Sequence, residues 1–151
     1  MVSGAEGKDA MQIRCELVQI RISETDDQQI IVLKESEGRR LFPIIIGFFE
    51  AAAIDRRVKG HFLPRPMTHD LLAMVIEGMG GRLAKIVVND LKDHTFFASL
   101  VIERNGDQIV IDARPSDAIA LAVAGNTPIF VEDHVLDEVA GPRPPGHGFN
   151  P

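Results

Sequence analysis

The stretch IDARPSDAIALAVAG, Ile111 to Gly125, passes from one kind of periodicity to another. Gln108 to Asp112 reads as a strand, Pro115 suits the first position of a helix, and the Ala/Ile/Leu pattern that follows is helical. Ser116 is placed to accept a hydrogen bond from a free backbone N–H, and Asp117 in the first turn complements the positive end of the helix dipole. Capping leaves Arg114 unexplained, because the same dipole opposes a cation at a helix start. An arginine beside free N–H groups suits an anion such as phosphate, or a bidentate carboxylate partner such as Glu50 or Asp117. Asp112, at the strand end, adds a second carboxylate.

Upstream, Thr95 to Glu103 and Gln108 to Asp112 are joined across Asn105-Gly106, a favoured hairpin pair, with Leu83 to Val88 before them, so a meander is expected. Residues 12–22 alternate as a strand that forms a hairpin with Ile30 to Lys34, and Leu41 to Ile46 is a short buried strand closed by Gly47. FFEAAAIDRRVK then turns to helix propensity. Thr68 is placed as the N-cap of a second helix, His69 to about Met79, which Gly80 and Gly81 end. Thr127 to Val131 is a short strand, and Asp133 to Val139 a final helical turn or two. Strands and helices mix without a regular βαβ repeat. The expected class is therefore α+β, a single domain with a mixed, mostly antiparallel sheet and three main helices. Residues 11–139 form that domain; residues 1–10 and the Pro/Gly-rich 140–151 are expected to be disordered.

A chain of 151 residues, 45% apolar and 25% charged, can bury a real core in one domain. It lacks a basic start followed by an apolar run, and no stretch approaches the ~20 apolar residues of a membrane span, so a cytoplasmic protein is expected. Cys15, the single cysteine, lies in the alternating run MQIRCELVQIRI and reads as a structural thiol. The net charge of −6 opposes an electrostatic grip on nucleic acid. It is unevenly spread: Arg39, Arg40, Arg56, Arg57, Lys59 and Arg65 against Glu50 and Asp55 give the segment from Arg39 to Arg65 a charge of +4. An acidic chain of this kind can still present one basic face.

The sequence holds no Gly-rich phosphate loop, paired cysteines, HExxH or GxSxG, and neither Tyr nor Trp for base stacking. What remains is polar residues at helix starts. RPMTHDLLAMVI repeats the ingredients of the opening stretch in Arg65, Pro66, Thr68 and Asp70, and a His69 beside Asp70 suits proton transfer or metal binding. Glu50 is placed to reach back over the start of its helix and shares a stripe with Ile54 and Val58; a functional role needs His69 or Arg114 near it.

In order and spacing, PIIIGFFEAAAI (Pro43 to Ile54), RPMTHDLL (Arg65 to Leu72), NDLKDHTFFASL (Asn89 to Leu100) and IDARPSDAIALA followed by TPIFV (Ile111 to Val131) resemble the successive signatures of the bifunctional nuclease domain family. The resemblance spans roughly Gln12 to Glu138. It implies a compact α+β domain with a curved or split sheet, self-association as a dimer or trimer, and nuclease activity on DNA and RNA. Carried over residue by residue, the family's polar positions fall on Glu50, His69, Asp70, Asp112, Arg114, Ser116 and Asp117. One departure is Ala124, where the pattern usually continues into an arginine.

The expected function is thus a metal-dependent or metal-stimulated nuclease. Asp70, Asp112 and Asp117 would hold Mg or Mn, Glu50 would assist as ligand or base, His69 would be acid or base, and Arg114 would clamp a phosphate oxygen. Arg56, Arg57, Lys59, Arg65 and Ser116 would hold the DNA or RNA. The competing reading is a non-catalytic, oligomeric anion-binding or regulatory module in which Arg114 bridges Glu50 and Asp117 as a lock. An open pocket favours the first reading and a closed, fully paired core the second.

Overall fold

The computed structural model describes residues 2–3, 11–61 and 63–144. Within the stretch read as a disordered start, β1 (Val2–Ser3) forms a two-residue edge strand; residues 4–10 and the tail beyond 144 lie outside the described residues. β2 (Gln12–Arg21), β3 (Gln29–Glu35) and β4 (Leu41–Ile46) pair antiparallel in sequence, which puts Ile31, Leu33, Phe42 and Ile44 into the core. β5 (Arg82–Lys92), β6 (Thr95–Arg104) and β7 (Asp107–Ala113) make the expected meander, and β1 pairs with β7. β8 (Ile129–Glu132) lies between β5 and β2, parallel to the first and antiparallel to the second. The open sheet has the order β1-β7-β6-β5-β8-β2-β3-β4, and only the β5–β8 pair is parallel.

The sheet curls. Phe42 of β4 and Phe96 of β6 lie far apart in strand order, yet their ring centroids are 5.5 Å apart. Four helices pack on this frame: α1 (Phe48–Val58), α2 (Thr68–Gly78), α3 (Pro115–Ala124) and α4 (Asp133–Ala140). α3 is the central one. Its Ala118, Ile119, Ala120, Leu121 and Ala122 are all buried because α1, α2, β5 and β6 surround it, which explains an apolar character on every side. Cys15 is buried as the structural thiol expected, and burial chiefly pushes its pKa up to about 12. Among the described residues no helix is long and apolar enough to cross a membrane.

Three local differences from the sequence reading bear on the site. β5 runs on past Val88 to Lys92, because a register shift between Val88 and Asp90 absorbs the poor strand formers Asn89 and Asp90. Its turn into β6 consequently falls at Asp93 and His94, which bring the hairpin tip to the start of α1. Thr68 does not cap α2: Met67 is the capping position, and Asp70 Oδ2 accepts its N–H at 2.9 Å. Nor does Ser116 cap α3. Pro115 holds the first helical position, so the cap is Arg114 and Ser116 falls inside the first turn.

Candidate nuclease site

The curl of the sheet and the packing of α1 and α2 on α3 bring the starts of these helices together. Glu50 comes from the first turn of α1, His69 from α2, and Arg114 and Asp117 from α3. Asp117 is the centre. Its Oδ1 lies 2.9 Å from His69 Nε2, and its Oδ2 accepts a hydrogen bond from Arg114 Nε at 2.9 Å. Arg114 Nη1 reaches Glu50 Oε2 at 3.5 Å. Burial works against charge on Asp117, but hydrogen bonds from Arg114 and His69 outweigh it and hold the carboxyl below the usual carboxylate range. The result is an ionised carboxylate that orients one imidazole and one guanidinium.

These groups line an open depression of about 420 Å³ whose walls include Phe49, Ala52, Ala53, Met67 and Thr68. The Arg114 side chain stays 65% exposed despite two carboxylate neighbours, so donors remain for a ligand. Three larger cavities, of about 730, 630 and 450 Å³, contain no histidine.

Gly47 sets the Glu50 side chain. A Cβ at this position would collide with Glu50 Oε1, so the missing side chain is what lets the carboxylate fold back over the helix start toward Arg114. Gly47→Ala should push Glu50 aside and free the Arg114 guanidinium from it. A crystal structure of the variant that keeps the 3.5 Å contact would show that Gly47 does not set it.

A second cluster, centred on Asp70, is closed rather than open. Asp70 is gripped by Arg56 Nη2 at 2.9 Å and by Arg57 Nη1, and it also caps α2 through Met67. Burial would raise its pKa, yet these hydrogen bonds lower it. Arg57 is itself buried and donates through Nε to the Ala120 carbonyl at 2.7 Å. Asp70, Arg56 and Arg57 therefore tie α1, α2 and α3 together; Asp70 stands apart from the Asp117 cluster, while Arg56 also lines the depression beside it.

Other expected residues fall elsewhere. Ser116 is only 6% exposed and sits at the floor of a neighbouring cavity, a poor position for holding a polymer. Arg40 is buried as well, so the basic segment does not form one continuous face. Lys59 is exposed beside Asp55, and Arg65 is exposed on the connection to α2. Asp112 is exposed on β7 and lines neither cavity at Arg114. Ala124, the departure from the family pattern, lines the 730 Å³ cavity and leaves the cluster intact.

The expected divalent site does not fit. Among the described residues no three of His, Cys, Asp and Glu are grouped to hold a metal ion. Asp70 is saturated by two arginines, both oxygens of Asp117 are engaged, and Asp112 lies apart. Two groups escaped the sequence reading. Phe49, 82% exposed, stands at the rim of the depression, and His94 lines the adjoining cavity with Glu50 and Arg114. The signal for His94 was an Asp-His pair in a two-residue turn, a place where Gly is usual.

Comparison with known proteins identifies the family. The model of the bifunctional nuclease domain matches residues 31–143. An uncharacterised protein of Mycobacterium tuberculosis is 42% identical over 120 residues, covering 80% of this chain and 71% of that relative. Bifunctional nuclease 2 of Oryza sativa subsp. japonica is 30% identical over 141 residues, which is 85% of this chain but 43% of the plant protein. Bifunctional nuclease 2 of Arabidopsis thaliana is 27% identical over 145 residues, 88% of this chain and 44% of its own length. Since the matched segment takes in Glu50, His69, Arg114 and Asp117 together with the strands and helices that position them, the chain belongs to the bifunctional nuclease domain family.

Proposed function

We propose that the chain is a nuclease that hydrolyses phosphodiester bonds of DNA or RNA at the His69–Asp117–Arg114–Glu50 cluster. The observation that carries this reading is Arg114, oriented by two carboxylates and still largely open to solvent beside a histidine. Asp117 engages Nε2 of His69, which leaves Nδ1 to take the proton of an attacking water. Arg114 faces the phosphate, and the exposed ring of Phe49 offers a base a stacking surface. The competing reading of a structural lock shares one observation, because Arg114 does bridge Glu50 and Asp117. What supports the site is that this bridge lies in an open depression, which Arg56 of the Asp70 cluster also lines.

The test is cleavage of fluorescent single- and double-stranded DNA and RNA by the purified protein, with Mg²⁺, with Mn²⁺ and with EDTA, beside an Asp117→Asn variant. Cleavage that persists in EDTA and is lost in the variant is the expected result. Cleavage equal in both proteins would sink the reading.

We infer further that the active form is a homo-oligomer built on α2. Ala73 and Ile76 pack inward, while Leu71, Leu72, Met74, Val75 and Met79 are all exposed, an apolar face of a kind that monomers rarely leave bare. Glu77 is the one charged residue between Leu71 and Met79. Such a face is depleted in charge and rich in Met and Leu, as interface cores are. Light scattering should give a dimer or larger at micromolar concentration, and Met74→Glu should reduce it to monomer. A wild-type monomer would refute the assembly without touching the site.

A further inference from the structure

Two hairpin turns close the meander, and they differ. The β6–β7 turn uses Asn105 and Gly106, with φ of 52° and 82°, the pair that a two-residue turn of this hand favours. The β5–β6 turn uses Asp93 and His94, with φ of 49° and 63°. A histidine held in the left-handed region costs about 1 kcal/mol relative to glycine, so the turn itself gains nothing from that residue. What His94 gains is position. It lines a cavity of about 380 Å³ with Gly47, Glu50, Arg114 and Ser116, and the depression that holds His69 is lined by the same Glu50 and Arg114. Two histidines thus flank one guanidinium from adjoining cavities. His69 is engaged by Asp117 and His134 by Glu132, whereas no described residue bonds the His94 ring.

Strained residues retained at a pocket rim are characteristic of functional sites. We propose that His94 is a second catalytic residue, the proton donor to the leaving oxygen. This rests on the nuclease reading above. As water oxygen bonds to phosphorus, His69 Nδ1 takes the water proton. The bond from phosphorus to the leaving oxygen breaks, the electron pair stays on that oxygen, and His94 imidazolium supplies its proton. The products are one phosphate monoester and one free hydroxyl, and exchange with solvent restores both rings. Arg114 carries the charge that grows on the non-bridging oxygens. The assignment names protein groups for both proton transfers, in a cluster whose carboxylates do not assemble a metal site.

The experiment compares wild type, His94→Gln and His94→Gly on two substrates, fluorescent single-stranded RNA or DNA and bis(p-nitrophenyl) phosphate. The nitrophenolate leaves without being protonated, so loss of a proton donor spares that ester. His94→Gln should slow nucleic-acid cleavage by about 100-fold and leave the aryl ester within a few-fold of wild type. His94→Gly should show the same kinetics with a melting temperature no lower than wild type, since glycine relieves the turn; this separates lost chemistry from lost fold. Equal losses on both substrates, or none on either, would overturn the assignment while wild-type cleavage keeps the nuclease reading. A wild type inert toward both would overturn both.

Discussion

Asp117→Asn should slow cleavage on the order of 10³- to 10⁴-fold and leave the fold almost untouched. The carboxylate presents two acceptor oxygens to two donors, His69 Nε2 and Arg114 Nε. A carboxamide has one acceptor and one NH₂ donor, so it cannot serve both. If the NH₂ faces His69, the ring must carry its proton on Nδ1 and has no lone pair there for water. If it faces Arg114, the clamp is released toward solvent. Either arrangement also removes the negative charge that stabilises the imidazolium in the transition state. The helix start keeps Pro115 and the buried Ala118–Ala122 surface, which hold α3 without this side chain. Asp70→Asn is the informative contrast: breaking the Arg56–Asp70–Arg57 lock should lower the melting temperature and change the rate of the folded fraction little. A variant pair with these effects reversed would exchange the two clusters' roles.

Much of this architecture is legible in the chain. Periodicity places the strands of the meander, the first hairpin and the α3 segment, since their signals are local: alternation, Asn105-Gly106, and Pro115 at a helix start. The groups that gather at Asp117 are also visible, because they stand at helix starts where polar residues are conspicuous. What periodicity could not supply is which helix starts meet. Asp70 and Asp117 carry the same local signature, yet one falls between two arginines of α1 and the other beside a histidine of α2. The basic segment misleads for a related reason: Arg57 and Arg40 look like surface charge until the partners that bury them are known. His94 is missed because a strand that seems to end at Val88 runs four residues longer through a bulge and carries its turn to the site.

A buried charge cluster ties the β3–β4 turn to α4, and breaking it should have the largest effect on stability. Arg40 and Glu35 are each only 4% exposed and bond through Nε and Oε1 at 2.9 Å, while Arg40 also reaches Asp133 and Asp137 on α4 at 2.8 Å. The arginine thereby fastens the β3–β4 turn to α4, which packs on β4, β5 and β8 and holds the edge strands against the middle of the sheet. Arg40→Met leaves Glu35 buried without an ion-pair partner, with only the more remote charge of Arg143 acting on it, and the expected loss is about 3–5 kcal/mol, read from the denaturant midpoint. Adding Glu35→Leu to that variant should restore most of the loss, because Asp133 and Asp137 stay partly solvated. The pH dependence follows from Glu35. Burial would raise its pKa, but the Arg40 hydrogen bonds prevail and lower it from the ordinary 4.5. With the folded value depressed, the stabilisation is complete above about pH 4.5 and is lost as pH falls through the folded value. Wild type should therefore lose stability on acidification below that point more steeply than the double variant. Parallel acid profiles for the two proteins would show that the Arg40–Glu35 pair does not stabilise the junction of the β3–β4 turn with α4.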